Sequence, residues 1–423
     1  MLGCRVPVRR RASLGSIFLT VFLDLLGFGL VFPFLAKEAR DSLGATALTA
    51  TLLGSAYSGM QFLFVPVWGR LSDRVGRRPI MLWSIAGTSL SMLGLGLGLA
   101  YGSSIAWLFA ARIFSGIATA NLGTASAYIA DITKPEERAR GMGMIGLAFG
   151  LGFILGPGVG GVLAKIPFEG RHGVWPCFLA AAMSAINFVW ASFGLAESLP
   201  PDVRANKAKR SLSPINLVAM KESFARPGFA LAVGVNFIIV LSFTSLDQTF
   251  TFFCGDLLGI DEEGTGIALA LVGVVAAIVQ GGMMRPLSKR FSDAALVRAG
   301  VVLQVFAFSG LAASGAVRSL SLLAVACSLL AIGNGLSAPS TSAFVSKTAP
   351  ASEQGSALGT NQSFAALART FGPALGGWLY GSVSRLAPYS AAAAGLVVAV
   401  VLAMAMRGNA PPSASPVGAR PAR

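Results

Sequence analysis

Charge is scarce in this chain. Of 423 residues only 12% are charged, there is a single His, and the four Cys (Cys4, Cys177, Cys254, Cys327) stand far apart. A soluble domain carries about 25% charged residues, so a surface facing water all round is excluded. With no CxxC spacing, the cysteines support neither a metal site nor a disulfide framework, and His172 has no partner pattern. There is no nucleophile–base pair and no phosphate-cradling loop; GLGLGL at 94–99 has glycine spacing but lies inside an apolar run. These absences argue against an enzyme and against ATP-driven transport, and no cofactor or metal is expected. Short alternating segments of the kind that build membrane barrels are missing. No segment between the apolar runs is large enough for a soluble catalytic domain.

Hydrophobicity is what the chain has. Mean hydropathy is +0.70 and 54% of residues are hydrophobic. Twelve long runs recur, at roughly 13–36, 48–69, 79–101, 104–131, 140–164, 172–195, 229–253, 264–286, 295–316, 319–346, 355–380 and 386–407. Each can cross about 30 Å of hydrocarbon as a helix. The Arg-rich start looks like a signal peptide, but the first run is long, contains Asp24 and lacks a convincing cleavage site, so it is read as a retained span. The expected organisation is a basic tail 1–12, a six-helix bundle 13–196, a Pro-, Lys- and Arg-containing linker 197–228, a second six-helix bundle 229–407 and a disordered tail 408–423.

The net charge of +15 would suggest nucleic acid in a soluble protein. Its distribution says otherwise. With the N-terminus placed inside, inward segments hold 25 Lys and Arg, while outward loops hold six (Lys37, Arg40, Lys165, Arg171, Arg318, Arg385). The asymmetry orients both ends to the cytoplasm. The expected partners are the lipid bilayer, a small-molecule substrate and protons; nucleic acid is not expected, and the chain is read as a monomer.

The halves are related. Gly156, Pro157, Gly160 and Gly161 recur as Gly372, Pro373, Gly376 and Gly377, and the gapless match of 126–161 with 342–377 has nine identities, Glu137/Glu353 and Gly143/Gly359 among them. Two related halves in an apolar chain point to a transporter built from repeats, with its site between them.

The loop between spans 2 and 3 orders Gly69, Arg70, Asp73, Arg74, Gly76, Arg77 and Arg78 into Gly-x-x-x-Asp-Arg-x-Gly-Arg-Arg. Its cations can meet helix C-terminal carbonyls and its Asp a helix N-terminus. A positive-inside anchor explains the Arg but not the order. The string resembles the signature loop of the major facilitator superfamily. Span 1, with Asp24, Gly27 and Pro33, is similar to the first helix of twelve-helix drug–proton antiporters, as is span 4 with Leu108, Arg112 and Gly116, where Ser115 replaces the usual Gln. Span 5 fits the antiporter motif through Gly143, Gly152, Gly156, Pro157, Gly160 and Gly161. AYIADITKPEERARG at 127–141 resembles tetracycline-efflux proteins, and AESLPP at 196–201 resembles the segment after helix 6. The resemblance covers all twelve spans. It implies an all-α membrane protein of twelve transmembrane helices in two pseudo-symmetric six-helix bundles, the major facilitator fold.

Gly152, Gly156 and Gly160 share one helix face, where small residues allow close helix approach. The resemblance implies a seam against helix 8; ordinary packing is the simpler alternative. Charges within spans are costly, about 2.5–3.5 kcal/mol or more at mid-bilayer. Asp24 lies roughly 16 Å into span 1 at 1.5 Å per residue, where a carboxylate that water leaves and re-enters can take up and release a proton. Arg112 could pair with it during coupling, or serve as a permanent structural group. Asp247 in span 7 is a second cavity candidate, with Arg369 as its partner or as an inter-bundle contact. By resemblance, Asp131 joins Asp73 and Arg77 in a gate cluster that holds the outward-open state. Substrate-cavity candidates are Gln61, Asn334, Tyr57 and Phe28, followed by Asn121, Asn236, Asn361, Gln362, Phe32 and Phe250. The second signature loop, GGMMRPLSKRFSD at 282–293, is degenerate. The resulting expectation is proton-coupled export of small amphipathic or drug-like molecules such as tetracyclines, from a bacterial inner membrane. Export or uniport of a specific metabolite (a sugar or siderophore) and a non-transporting receptor or scaffold are the alternatives.

Overall fold

The computed structural model describes residues 14–102, 104–133, 138–199, 224, 226, 228–349 and 354–406. The tails 1–12 and 408–423, most of the linker 197–228, and Glu137 and Glu353 lie outside them. The described residues form helices joined by short turns: α1 (Leu14–Leu43), α2 (Ala47–Val75), α3 (Arg77–Ala100), α4 (Ile105–Ile132), α5 (Arg138–Ala164), α6 (Val174–Gly194), α7 (Phe229–Leu258), α8 (Glu262–Arg290), α9 (Asp293–Val317), α10 (Leu320–Lys347), α11 (Gln354–Ser382) and α12 (Ala387–Ala405). Some helix starts are capped locally. Thr46 Oγ1 accepts from Thr49 N at 3.1 Å, and Asp261 Oδ1 from Gly264 N at 2.9 Å, each satisfying an otherwise orphaned N–H. Between α2 and α3 the chain turns on one residue, Gly76, at φ 110°, a conformation that costs a side chain but not glycine.

Among the described residues ten helices are long and apolar enough to cross a membrane, so this is a multi-pass membrane protein. The other two are α5, whose apolar part Gly150–Ala164 is shorter, and α11, diluted by Asn361, Gln362 and Arg369. Large apolar side chains such as Trp83, Phe193, Phe306 and Val401 are exposed on the outside, as a lipid-facing surface requires.

Helices α1–α6 and α7–α12 form two bundles, joined through α5–α8, α2–α11 and α1–α7. The repeat is visible in the packing: α5 lies on α1 within the first bundle as α11 lies on α7 within the second, and α5–α8 between bundles mirrors α11–α2.

The expected seam of Gly152, Gly156 and Gly160 against helix 8 is corrected. That face lies on α1: a Cβ on Gly156 would come 2.7 Å from the Gly29 backbone, and one on Gly152 3.1 Å from Leu25. Gly160 likewise abuts the Leu30 backbone. The seam with α8 uses the adjacent face. A Cβ on Gly266 would sit 2.5 Å from the Pro157 carbonyl oxygen, and one on Gly273 2.8 Å from Ile154 Cα. One residue turns a helix by about 100°, so Gly160 faces the helix's own bundle and Gly161 faces the other. Gly143 lies on the same helix, toward its N-terminal end.

Two irregularities depart from twelve unbroken helices. α4 breaks into Ile105–Ala118 and Leu122–Ile132, and α8 contains a π-turn at Val279–Met283. The α4 break lies inside the helix array, where non-helical backbone is tolerated only against protein or a cavity; the π-turn is exposed apart from Val279.

Candidate functional site

At the break in α4, Asn121 Nδ2 donates to Asp24 Oδ2 at 3.3 Å. From α6, Asn187 Nδ2 donates to Asp24 Oδ1 at 3.3 Å and to the Thr20 carbonyl at 3.1 Å. Asp24 is half-buried and, among the described residues, forms no ion pair. Its partners are two neutral amides, so no fixed cation locks it in the charged form. Asn121, a substrate candidate by sequence, is a partner of this carboxylate. Asn187 was missed; its only sequence signal is a lone amide in the apolar run SAINFVW.

The expected pairing of Arg112 with Asp24 is not made. Arg112 is buried, its guanidinium 4.5 Å from the Tyr57 ring centroid and 5.6 Å from that of Phe32. Among the described residues its Nε and Nη1 have no hydrogen-bond partner. The aromatic faces supply cation–π attraction in place of a counter-ion. Tyr57 anchors a small polar triangle: Gln61 Nε2 and Thr119 Oγ1 both donate to its hydroxyl at 2.9 Å. Phe28 stacks between Phe32 and Tyr57, with centroids 4.3 and 5.4 Å away. Sequence candidates Tyr57, Gln61 and Phe28 therefore meet in one patch of the first bundle.

Asn334 does not join them. It lies across the molecule on the wall of a cavity of about 250 Å³, with Asp247, Gln280 and Phe250. The expected Asp247–Arg369 pair is absent among the described residues. Arg369 instead sits in electrostatic range of Tyr57 on the opposite bundle, which supports the inter-bundle alternative. Asn236 and Asn361 bond each other at 3.2 Å inside the second bundle.

At the face where α1 begins and α12 ends, Arg77 gathers the signature loop. Its Nη2 donates to Asp73 Oδ1 at 2.7 Å and its Nε to Asp131 Oδ2 at 3.2 Å, and Ser198 Oγ also donates to Asp131, at 3.1 Å. Arg70 Nε meets the Pro66 carbonyl within α2 at 3.1 Å, and Arg78 Nη2 meets that of Ser192 at 2.6 Å, as a cation at the C-terminus of α6 should. The acid at the N-terminus of α3 is not Asp73. Glu197, from the segment after α6, accepts from Arg77 N at 2.9 Å and Arg78 N at 3.2 Å. Gly69 has open space around it, and Arg74 completes the loop within α2. The 216-residue offset of the repeat relates Arg77 to Asp293 and Asp131 to Lys347, and Lys347 Nζ donates to Asp293 at 2.6 Å. The pair is kept with its charges exchanged, although the loop motif has decayed.

The opposite face holds a network the sequence reading did not anticipate. Arg40 makes a two-pronged bond to Asp256 at 2.8 and 2.9 Å, and Tyr380 donates to the same carboxylate at 2.9 Å. Lys37 pairs with Glu262, and Lys165 with Asp261 at 2.8 Å and Glu263 at 2.7 Å. Hydrogen bonding to Asp261 raises the Lys165 ammonium above its ordinary range, and the same contact lowers Asp261. Lys37, Arg40 and Lys165 come from the first bundle and the acids they meet across the interface from the second; Arg385 of the second bundle also reaches Asp256, at 3.9 Å. Deeper in, Thr251 Oγ1 of α7 donates to the Pro33 carbonyl of α1 at 2.6 Å. The far face is closed by complementary charge while the Arg77 cluster is intact, so that cluster does not exclude a closed far face.

Comparison with known proteins agrees with this architecture. The Major Facilitator Superfamily model matches residues 17–369 and again 284–423. The chain is 30% identical over 361 residues to the class C tetracycline resistance protein of Escherichia coli, covering 84% of this chain and 86% of that one. It is 27% identical over 362 residues to multidrug resistance protein 2 of Bacillus subtilis strain 168, covering 85% and 86%. The crystal structure of the human organic anion transporter MFSD10 (TETRAN) superposes with a TM-score of 0.68 at 26% identity, over 92% of this chain and 98% of that one. With its two bundles, its paired glycine helices and these relatives, the chain belongs to the Major Facilitator Superfamily of transporters.

Proposed function

We propose that the protein is a proton-coupled exporter of small amphipathic, drug-like molecules, working by alternating access in a bacterial inner membrane with both termini in the cytoplasm. The observation that carries this is Asp24: a half-buried carboxylate in the first helix, held by two amides and no cation. Such a group can cycle between protonated and charged forms as its access to water changes. Relatives named for tetracycline and multidrug resistance support the drug-like class. In the conformation with the far face closed, substrate enters from the cytoplasmic side. Rocking of the bundles then breaks the far-face ion pairs and exposes the site outside, where protons load Asp24 for the return. One returning proton supplies about 2.3 kcal/mol per 100 mV and about 1.4 kcal/mol per unit of pH gradient. The domain limits 13–196 and 229–407 are those of the two rocking bodies. The Arg77 cluster ties α2, α3 and α4 into one such body.

The test uses inside-out vesicles energised to an acid interior. Tetracyclines, quinolones, lipophilic cations and one organic anion are added, and loss of the pH gradient is recorded with a fluorescent dye. Substrate-triggered proton release that disappears in Asp24→Asn is the expected result. Release that persists in Asp24→Asn refutes Asp24 as the coupling site. No release for any compound, with folded protein, favours a specific-metabolite exporter, a uniporter or a non-transporting relative.

A further inference from the structure

The break in α4 is held open from outside. The last carbonyls of a helix have no partner within it, and here three in a row find one on a neighbouring helix. Trp68 Nε1 of α2 donates to the Ile117 carbonyl at 2.6 Å, Ser84 Oγ of α3 to that of Ala118 at 2.6 Å, and Gln61 Nε2 of α2 to that of Thr119 at 3.4 Å. The segment before the break is also fixed at backbone distance, because Gly116 abuts the Tyr57 backbone. Ile105–Ala118 is therefore seated on α2 and α3, and the break is a built feature with its carbonyls satisfied.

The segment after the break begins differently from its neighbours. Thr46, Asp261, Ser292 and Ser319 start helices with extended backbone, and each side-chain oxygen accepts from a first-turn N–H, which stabilises a helix start. Asn121 stands at the same position of Leu122–Ile132, and Asn is among the best residues for it. Its backbone, however, is at φ −94°, ψ −6°, and its side chain makes no cap bond. The amide is engaged elsewhere: Nδ2 donates to Asp24 Oδ2 at 3.3 Å. Capping goes with extended backbone, so the two uses of Asn121 demand two values of ψ. All of Leu122–Ile132 hangs on that torsion. The groups around Asp24 leave the choice open. Tyr57 of α2 lies in electrostatic range, and Arg112 of α4 is enclosed under Tyr57 and Phe32. α5 brings only Gly152, against the adjacent Leu25, and α6 the neutral Asn187. Among the described residues no cation pairs with Asp24, so Asn121 competes with no fixed charge for it.

We propose that Asn121 is a two-position hinge, a positioning residue that converts the charge of Asp24 into the aim of Leu122–Ile132. With Asp24 charged, the amide holds the carboxylate and the backbone stays near-helical, the position seen here. With Asp24 neutral, the amide is released, its oxygen caps the first turn of Leu122–Ile132, and the extended backbone re-aims that segment. A bond to a charged acceptor is about twice as strong as one between neutral groups, and that difference tips the contest with a neutral cap bond. Asp131 is ten residues further on, about 15 Å along the helix, so the re-aimed segment pulls on its bonds to Arg77 and Ser198. The hinge rests on Asp24 being the proton group and supplies the step by which its charge reaches the Arg77 cluster.

The test is hydrogen–deuterium exchange on the full-length protein in lipid nanodiscs, which needs no transport. It is read at the first-turn amides of Leu122, Gly123 and Thr124 between pH 5 and 8, after correction for the intrinsic rate. The start of α9, where Ser292 already caps, is the control and should show no step. In the wild type, exchange at 122–124 should slow about fivefold toward low pH, the factor a side-chain cap is worth. Asp24→Asn, neutral throughout, should hold the slow rate at every pH. Asn121→Ser can cap but is too short to reach Asp24, and should also be slow throughout. Asn121→Ala can do neither and should be fast throughout. The last two keep the test independent of whether Asp24→Asn folds. A pH step that survives in Asn121→Ala overturns the proposal, as does exchange that is flat with pH and equal in the wild type, Asp24→Asn and Asn121→Ser. Slow exchange in Asp24→Asn without a pH step in the wild type would keep the hinge and remove Asp24 as the proton group. Asp24-dependent proton release in vesicles, with exchange at 122–124 indifferent to residue 24, would do the reverse.

Discussion

Arg40 and Asp256 are 216 residues apart, the same offset that relates Gly156 to Gly372. They are equivalent positions of the two halves, and they touch each other. That places them on the pseudo-twofold axis at the far face, where a residue meets its own counterpart. Two identical charges there would repel; the chain has Arg on one half and Asp on the other. The bond is two-pronged, and the side chains are 22% and 21% exposed. Hydrogen bonds to charged groups are worth about 1.5–3 kcal/mol, and solvent-exposed pairs about 0.2–1 kcal/mol. For a pair that water still reaches, about 1–2 kcal/mol is the expected coupling, a factor of about 5–30 in the balance between far-closed and far-open forms. A spin-label pair at Ala45 and Val383, on opposite bundles at this face, reads that balance as a distance distribution. Arg40→Ala, Asp256→Ala and the double variant complete a cycle. The cycle is needed because Arg40 also lies 4.4 Å over the Phe252 ring and Asp256 also binds Tyr380, so the single variants overstate the pair. Both single variants should populate the longer distance. A coupling energy indistinguishable from zero, or a shift to shorter distances, would refute the assignment of this pair as a clasp.

Other expectations concern packing and charge elsewhere. Gly156→Ala should lower stability by about 1–3 kcal/mol, because its new Cβ meets the Gly29 backbone, which cannot rotate away. Gly69→Ala, with open space around it, should be neutral or slightly stabilising; thermal melts in detergent that rank the two in the opposite order would contradict the seam. Arg77→Asp should be severely destabilising, by about 3–5 kcal/mol, since it sets a third acid beside Asp73 and Asp131. Adding Asp131→Lys should recover part of that loss, because Asp293 and Lys347 already use the exchanged order; no recovery in the melt would mean that the bonds to Asp73 and Ser72 dominate. The Lys165–Asp261 contact should not respond between pH 5 and 8. Lowering of Asp261 makes its contribution present above the usual carboxylate range and lost only as pH falls below it. Raising of Lys165 makes its share present below the usual lysine range and lost only at more alkaline pH. A cross-link between Cys residues placed at 165 and 261 cannot test this, since it deletes the pair; salt-dependent closure measured at pH 5, 6.5 and 8 can.

Much of the fold is legible in the sequence because bilayer crossing leaves a coarse signal: a run of apolar residues long enough for a helix. The repeat was legible because helices that approach at backbone distance must keep glycine, so Gly156 and Gly372 survive where neighbours have drifted. Which partner each glycine faces was not legible. Gly160 and Gly161 are adjacent letters, yet one lies on α1 and the other on α8. Asp24 stood out as a lone charge in an apolar helix, but its partners did not. Asn121 reaches it only because α4 breaks at that point, and Asn187 comes from α6. Arg112 and Asp24 looked like partners because both are lone charges in apolar runs; the aromatic faces of Phe32 and Tyr57 that take Arg112 instead carry no charge to betray them. Lys37, Arg40 and Lys165 were visible only as exceptions to the positive-inside pattern. Their role depends on acids more than 90 residues away, a distance over which a single sequence has no local signal.

These elements meet on one rod. α1 carries Asp24 with its two amide partners, Gly29 in backbone contact with Gly156, Pro33 whose carbonyl takes the Thr251 hydroxyl, and Lys37 and Arg40 of the far-face network. Because α5 approaches it at backbone distance, the two helices have no side-chain layer between them to absorb relative sliding. A displacement of α1 is therefore a displacement of α5, and through Pro157 and Gly161 it is felt at the seam with α8. The carboxylate proposed to take the proton and the cations that clasp the far face are thus parts of one rigid pair. Any change in the charge of Asp24 that favours a different position of α1 acts directly on Arg40 and Lys37, without a relay through loops. A rod of this kind predicts that lengthening α1 between Asp24 and Arg40, by inserting one alanine after Leu35, rotates the clasp by about 100° away from Asp256 while leaving the Asn121 and Asn187 contacts in place. Closure at the far face should then be lost with Asp24 still able to bind a proton. Retained closure in that variant would mean that the clasp re-forms independently of α1, and the rod argument would fail.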